Sequence, residues 1–428
     1  MYSKRFKSTV RYNYPWKNAF NLWYKHITTR NIEKQAHDTL FDLTLPYYNR
    51  TVNGLHASTR TTPLTGNRQL SELNVKNESA DRHMVLLHGY AASSGWWFRN
   101  IDTFARAGNY NVHAIDLPGF GLSSRHGRPF LDNKTRLKIE FDRNKLKHMD
   151  HLHRSLYVPE KFSLERKNLQ KYLENQQSIV DQVVDFYVDA VEQWRQHHQI
   201  PQFDLVAHSL GGYMGVAYCA KYPNAVRRLV LASPGGVERS PFAITNPQYK
   251  EITTDITESG SQSPGDYSFL GRYPEVKFPI QAYWQLRIPT FLILRLLGPA
   301  AVRLFMSRNI SKFKRSNFNQ PHELDAFAEY VYHTSVKRSI SETAIMRIFD
   351  SSLLAKIPVL DRLHALRCTS LWIYGQHDFM FEDSGRVAVN ILNSHDHNAA
   401  MKVVQGAGHN MYLDNPQEFN QLVLDYLN

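Results

Sequence analysis

One stretch constrains this chain more than any other: Phe203-Asp204-Leu205-Val206-Ala207-His208-Ser209-Leu210-Gly211-Gly212-Tyr213-Met214-Gly215. An apolar run (Phe203, Leu205, Val206) leads into a serine crowded by small residues, and a helix-compatible segment (Tyr213 to Tyr222) follows at once. Strand, sharp turn and helix in that order match the nucleophile elbow G-x-S-x-G in all but its first position. A strained turn needs small residues two before and two after the serine, because their backbones pack against neighbouring strands. Gly211 meets the second requirement, and Ala207 stands where the first glycine is expected.

The rest of the 428 residues must supply a sheet around that strand, in one large domain with insertions or in two. A hydrophobic share of 42% suits a sizeable core. No apolar run reaches the ~20 residues of a spanning helix, which favours a soluble or peripheral protein over an integral one. The net charge of +12 favours anionic partners. Cys219 and Cys368 are remote in sequence and imply neither a metal site nor a disulfide framework, which suggests a reducing compartment.

Along the chain, residues 1–35 form a basic arm with no acid before Glu33. Lys4, Arg5, Lys7, Arg11, Lys17, Lys25 and Arg30 alternate there with aromatics and hydroxyls, the pattern of a mitochondrial presequence. Leu40 to Leu45 and Thr51 to His56 read as opening antiparallel strands. His83–His88, Val112–Asp116, Phe203–Ala207, Arg228–Ala232, Ser370–Tyr374 and Met401–Val404 read as buried strands, with helices between most of them, notably Asn175 to His197. That alternation implies an α/β architecture: a mostly parallel sheet flanked by helices. Two segments interrupt it. Residues 125–174 read as a long, polar, basic and largely helical insert, and 233–355 as a helical cap placed before the acid-bearing strand. Within the cap, Phe278 to Met306 is the most apolar stretch, followed by Arg308, Lys312, Lys314 and Arg315, the makings of a lid that also meets a bilayer. The core is thus split into 40–232 and 356–428.

Serine chemistry needs a base, an acid and an oxyanion site, and each has a candidate at a strand end. His409 lies in Gly406-Ala407-Gly408-His409-Asn410, where glycines let a loop carry the imidazole over the sheet edge. Asp378 follows the strand Leu371–Tyr374, while Asp350 and Asp361 follow no convincing strand. The order serine, acid, histidine is that of a triad built on such a sheet. His88-Gly89-Tyr90 ends the first buried strand, where the backbone N–H of Tyr90 would converge with that of Leu210 on a developing oxyanion. No metal or cofactor is implied, and the basic runs lack any nucleic-acid-binding module.

With these residues in view, the chain from about residue 80 to 428 resembles the α/β-hydrolase superfamily. More narrowly it is similar to a lipid-hydrolase branch that includes the fungal mitochondrial cardiolipin-specific deacylase. The resemblance rests on Leu86-Leu87-His88-Gly89-Tyr90, on Ile115 to Arg125, on Ala207-His208-Ser209-Leu210-Gly211-Gly212-Tyr213, and on Gly408 to Asp414. The last contains H-x4-D, His409 to Asp414, which the branch shares and which is linked there to acyl transfer; Asp414 can equally serve as a helix cap. The resemblance implies a serine phospholipase on an anionic phospholipid, converting cardiolipin to monolysocardiolipin on the matrix side of the mitochondrial inner membrane. An acyltransferase acting on lysophosphatidate through the same site, and a non-catalytic lipid-binding regulator, stand as alternatives.

Overall fold

A computed structural model of the chain describes residues 13–151, 154–313 and 321–428. In chain order the chain first forms α1 (Trp16–Thr28), α2 (Ile32–Thr44), β1 (Thr51–Val52), β2 (Leu55–Leu64), β3 (Arg68–Asn77), β4 (Arg82–Leu87), α3 (Ile101–Arg106) and β5 (Tyr110–Asp116). The insert adds β6 (Glu140–Phe141), β7 (Leu146–His151), β8 (Arg154–Pro159) and β9 (Lys161–Leu164). Then come α4 (Arg166–Leu173), α5 (Gln176–His197), β10 (Phe203–His208), α6 (Leu210–Lys221) and β11 (Val226–Ala232). The cap contributes β12 (Ile256–Ser259), α7 (Phe278–Gln285), α8 (Leu292–Leu296), α9 (Gly298–Phe313), α10 (Pro321–Val336) and α11 (Ile345–Ile348). The chain closes with β13 (Thr369–Gly375), α12 (Glu382–Asn393), β14 (Ala399–Val404), α13 (Met411–Asp414) and α14 (Pro416–Leu427).

The main sheet runs β1-β2-β3-β5-β4-β10-β11-β13-β14, antiparallel up to β5 and parallel beyond it. Its parallel strands are apolar on both faces because both faces are covered. Val85, Leu87, Leu205, Ala207, Leu229 and Leu231 pack into one core with α5 and α6. Met84, Leu86, Val206, Val230, Leu371 and Ile373 pack into the other with α3 and α14. Asn415 caps α14 through the Glu418 N–H, with Pro416 at the first helical position. Cys219 and Cys368, remote in sequence, are buried free thiols with Sγ atoms 4.0 Å apart.

Three expectations are corrected. Leu40 to Leu45 is the end of helix α2, not a strand, because the apolar set Ala36, Leu40, Phe41 follows helical spacing and is buried on one face. The 125–174 insert is mostly extended rather than helical: Leu156, Val158, Phe162 and Leu164 alternate inward, and α4 is its one helix among the described residues. The cap expected to be helical also carries the strand β12, which pairs antiparallel with β9, so insert and cap share the small sheet β12-β9-β6. The second half of the basic arm is built into the cap: Tyr14, Ala19 and Leu22 pack against Leu294, Val302, Met306 and Tyr332. Lys4, Arg5, Lys7, Arg11, Lys314 and Arg315 lie outside the described residues.

Candidate active site

Ser209 sits between the end of β10 and the first turn of α6 with φ 54° and ψ −114°, a backbone conformation that costs on the order of 1–3 kcal/mol in a residue with a side chain. The packing around it over-determines that turn. A Cβ on Gly211 would stand 2.6 Å from the His88 carbonyl oxygen, so only glycine fits. The methyl of Ala207, at the position where the motif expects glycine, is accommodated from the other side: Gly215, one turn into α6, leaves open the space where its own Cβ would meet that methyl at 3.2 Å.

The structure brings Ser209, His409 and Asp378 together. His409 Nε2 is 3.1 Å from Ser209 Oγ, and its Nδ1 is 3.0 Å from Asp378 Oδ1. Asp378 is buried in the loop after β13, and burial raises its pKa. The charge and hydrogen bond of His409, the Ser233 hydroxyl and the Met380 N–H outweigh burial and hold the carboxyl below its usual range. The alternative acids are elsewhere: Asp361 pairs with Arg239 at 2.6 Å, and Asp350 accepts from Ser352 and Leu354 within its own turn.

Around this chain of contacts, the other residues singled out in the sequence take supporting places. His88 Nε2 accepts the Leu117 N–H at 2.9 Å, so its Nδ1–H donates to the Gly89 carbonyl at 2.7 Å. That carbonyl also accepts from Ala92 N–H at 3.3 Å; because the peptide is trans, the Tyr90 N–H points the opposite way. The Leu210 N–H opens α6, where no intrahelical acceptor exists. Both donors are therefore unused by regular secondary structure. His208 does not reach Ser209 Oγ. It is buried, and burial and the neighbouring His409 push its pKa well down, so as neutral imidazole it donates from Nε2 to the His409 carbonyl at 2.9 Å. Asp414 does not cap α14; its carboxylate accepts the Gly408 N–H at 2.9 Å and braces the loop that carries His409.

A family model described as α/β hydrolase fold matches residues 82–416. The chain belongs to the α/β-hydrolase family. Among curated relatives, Protein ECM18 of Saccharomyces cerevisiae is 30% identical over 356 residues, covering 80% of this chain and 70% of the relative. The 1-acylglycerol-3-phosphate O-acyltransferase ICT1 of the same yeast is 29% identical, covering 80% of this chain and 81% of the relative. The human (Lyso)-N-acylphosphatidylethanolamine lipase is 26% identical, covering 84% and 83%. Among solved structures, the naproxen esterase of Bacillus subtilis superposes with a TM-score of 0.51 at 13% identity, covering 93% of this chain and 99% of the esterase, a likeness of fold.

One residue of this hydrolase site escaped sequence reading. Ser233, at the end of β11 with φ 49°, donates its hydroxyl to Asp378 Oδ2 and lies 3.0 Å from His409 Nδ1. Its only sequence signal is its place after a strand and before Pro234-Gly235-Gly236. The arrangement can draw a proton from a serine hydroxyl and hold the resulting imidazolium against a buried carboxylate.

Proposed function

We propose that this chain is a serine phospholipase that removes one acyl chain from an anionic mitochondrial phospholipid, converting cardiolipin to monolysocardiolipin and a fatty acid. The observation that carries the reading is the unbroken chain of contacts from Ser209 Oγ through His409 to Asp378. Ser209 Oγ attacks an ester carbonyl while His409 takes its proton. The tetrahedral intermediate collapses, the glycerol–oxygen bond to the acyl carbon breaks, and His409 returns the proton to the leaving oxygen. Water, deprotonated by His409, then releases the fatty acid and restores Ser209.

The phospholipid class is supported by the acyltransferase and lipase names of two relatives. Docking on a membrane surface is supported by the cap. Helices α1, α8 and α9 pack together and expose Trp16, Phe20, Leu296, Leu297 and Leu304. The chain carries no acid between residues 276 and 322 or before Glu33. No described helix is long and apolar enough to cross a membrane. The acid-free N-terminal stretch supports a mitochondrial address, on the matrix side of the inner membrane.

The test is incubation of the full chain with cardiolipin in mixed micelles. Monolysocardiolipin is expected from the native chain and not from Ser209→Ala; deacylation at the native rate by Ser209→Ala ends the proposal. A second reading is favoured by the relative named as an acyltransferase: the same acyl-enzyme passes its chain to the hydroxyl of lysophosphatidate instead of water. Phosphatidate formed from acyl-CoA and lysophosphatidate, faster than free fatty acid, would select it.

A further inference from the structure

Between cap helix α7 and the core lies a small open cleft of about 60 Å³ whose lining includes Arg136, Arg287, Phe349, Asp350 and Lys356. Its link to the serine is short. A Cβ on Gly235 would lie 3.6 Å from the Ser209 carbonyl oxygen and 3.8 Å from Phe349 Cζ. Phe349, in the cleft's lining, therefore also lies near the backbone of the turn that carries the serine.

The cleft's lining carries three basic side chains, Arg136, Arg287 and Lys356, against one carboxylate, Asp350. Lys356 is 5% exposed, and its Nζ donates to one acceptor among the described residues, the neutral Oε1 of Gln176 at 2.7 Å. The ring of Tyr172 lies 5.9 Å away. Burying an ammonium without an anion costs several kcal/mol, and a Met or Leu would fill the same space without that cost. The nearby carboxylates are engaged elsewhere: Asp132 is shared by Arg287 and Arg347, and Asp350 is held by the N–H groups of Ser352 and Leu354. At the exposed mouth, Arg136 also has neutral acceptors only, Gln281 Oε1 at 2.5 Å and the Tyr273 hydroxyl at 3.4 Å.

We propose that this cleft seats the phosphate group of a glycerophospholipid, with Lys356 and Arg136 as its charge partners and Arg287 flanking them. A planar guanidinium and a compact ammonium suit phosphate oxygens. Only glycerol separates that phosphate from the ester carbonyls, so an anchored headgroup presents an acyl ester to the neighbouring serine. Burial pushes Lys356 down to about 7, and a bound anion would favour its charged form. The assignment rests on the phospholipase reading for its ligand class.

Binding without turnover tests it separately from that reading. Full chains carrying Ser209→Ala, alone and combined with Lys356→Met, Lys356→Arg or Arg136→Gln, are titrated calorimetrically with dioctanoyl phosphatidate, dioctanoylglycerol and inorganic phosphate. The parent is expected to bind phosphatidate at least tenfold tighter than dioctanoylglycerol. Lys356→Met should erase that preference, Lys356→Arg should keep most of it, and Arg136→Gln should reduce it severalfold. Arg136 is exposed, so its variant keeps the test decisive where Lys356→Met does not fold. Equal phosphatidate binding by the parent, the Arg136 variant and any folded Lys356→Met protein overturns the proposal. So does inorganic phosphate binding as tightly as phosphatidate, which marks a free-anion site. Absence of cardiolipin hydrolysis by the native chain would sink the catalytic reading and leave these binding results to stand or fall on their own.

Discussion

Ser233 offers the sharpest separation of chemistry from folding. Its hydroxyl donates to Asp378 Oδ2, while Oδ1 takes the Met380 N–H and His409. Removing that donor leaves a buried carboxylate oxygen without a partner. Hydrogen bonds to charged groups contribute about 1.5–3 kcal/mol, and a pKa unit is about 1.36 kcal/mol. The Asp378 carboxyl should therefore move up in Ser233→Ala, because one of the donors that holds it down is gone. That rise shifts the acid limb of kcat/KM set by this carboxyl to higher pH. A fall in kcat of about tenfold accompanies the lost alignment. Because Ser233 has φ 49°, Ser233→Gly removes the same hydroxyl while relieving the backbone, and should be more stable than Ser233→Ala by about 1 kcal/mol. The assay is hydrolysis of a soluble nitrophenyl ester against pH, beside urea unfolding of each variant. Two variants with equal kinetic defects and different stabilities are expected. Native kcat and an unmoved acid limb in Ser233→Ala would refute the reasoning.

Three further outcomes follow from the same geometry. Asp414→Ala should cost about 1–3 kcal/mol in urea unfolding through the freed Gly408 N–H, and should lower hydrolysis and acyl transfer alike. Loss of transfer with hydrolysis intact would instead give Asp414 a chemical role. His333, buried under α1 with its Nδ1 3.1 Å from that of His26, is pushed by burial down to about 3. The unfolded chain takes a proton near 6.5 that the folded chain refuses, so stability is full above that pH and declines as pH falls. The loss contributed by His333 between pH 6.5 and 4 should be on the order of 3 kcal/mol, and His333→Phe should make the decline shallower by about that much; a variant whose urea midpoint falls as steeply as the native chain's contradicts the assignment. Under the proposed mitochondrial address, processing should leave a mature N-terminus ahead of Tyr14, because Tyr14, Ala19 and Leu22 complete the cap cluster. N-terminal sequencing that starts beyond Leu22 in active, natively melting protein would contradict that packing.

The strands of the sheet were legible because both faces of a parallel sheet are covered, so β4, β10, β11 and β13 announce themselves as short apolar runs. The places of Ser209, Asp378 and His409 were legible for a related reason: each follows such a strand at the carboxyl edge. What stayed hidden was set by contacts between distant segments. In the insert, β9 pairs with Ile256–Ser259, nearly a hundred residues on, and the insert's exposed lysines and arginines masked the inward alternation of Leu156, Val158, Phe162 and Leu164. Leu40 to Leu45 was misread because a six-residue window is too short to separate the two periods, and Ala36 lies outside it. Ser233 and Lys356 carry no motif at all; each gains meaning only from what the fold sets beside it.

The central claim is that the Ser209 hydroxyl is activated by His409. Intact-protein mass spectrometry of the folded chain treated with a fluorophosphonate measures it most directly. The account predicts one adduct, mapped to Ser209, whose formation rate collapses in His409→Gln. No adduct on folded protein, or an adduct whose rate is indifferent to residue 409, would contradict it.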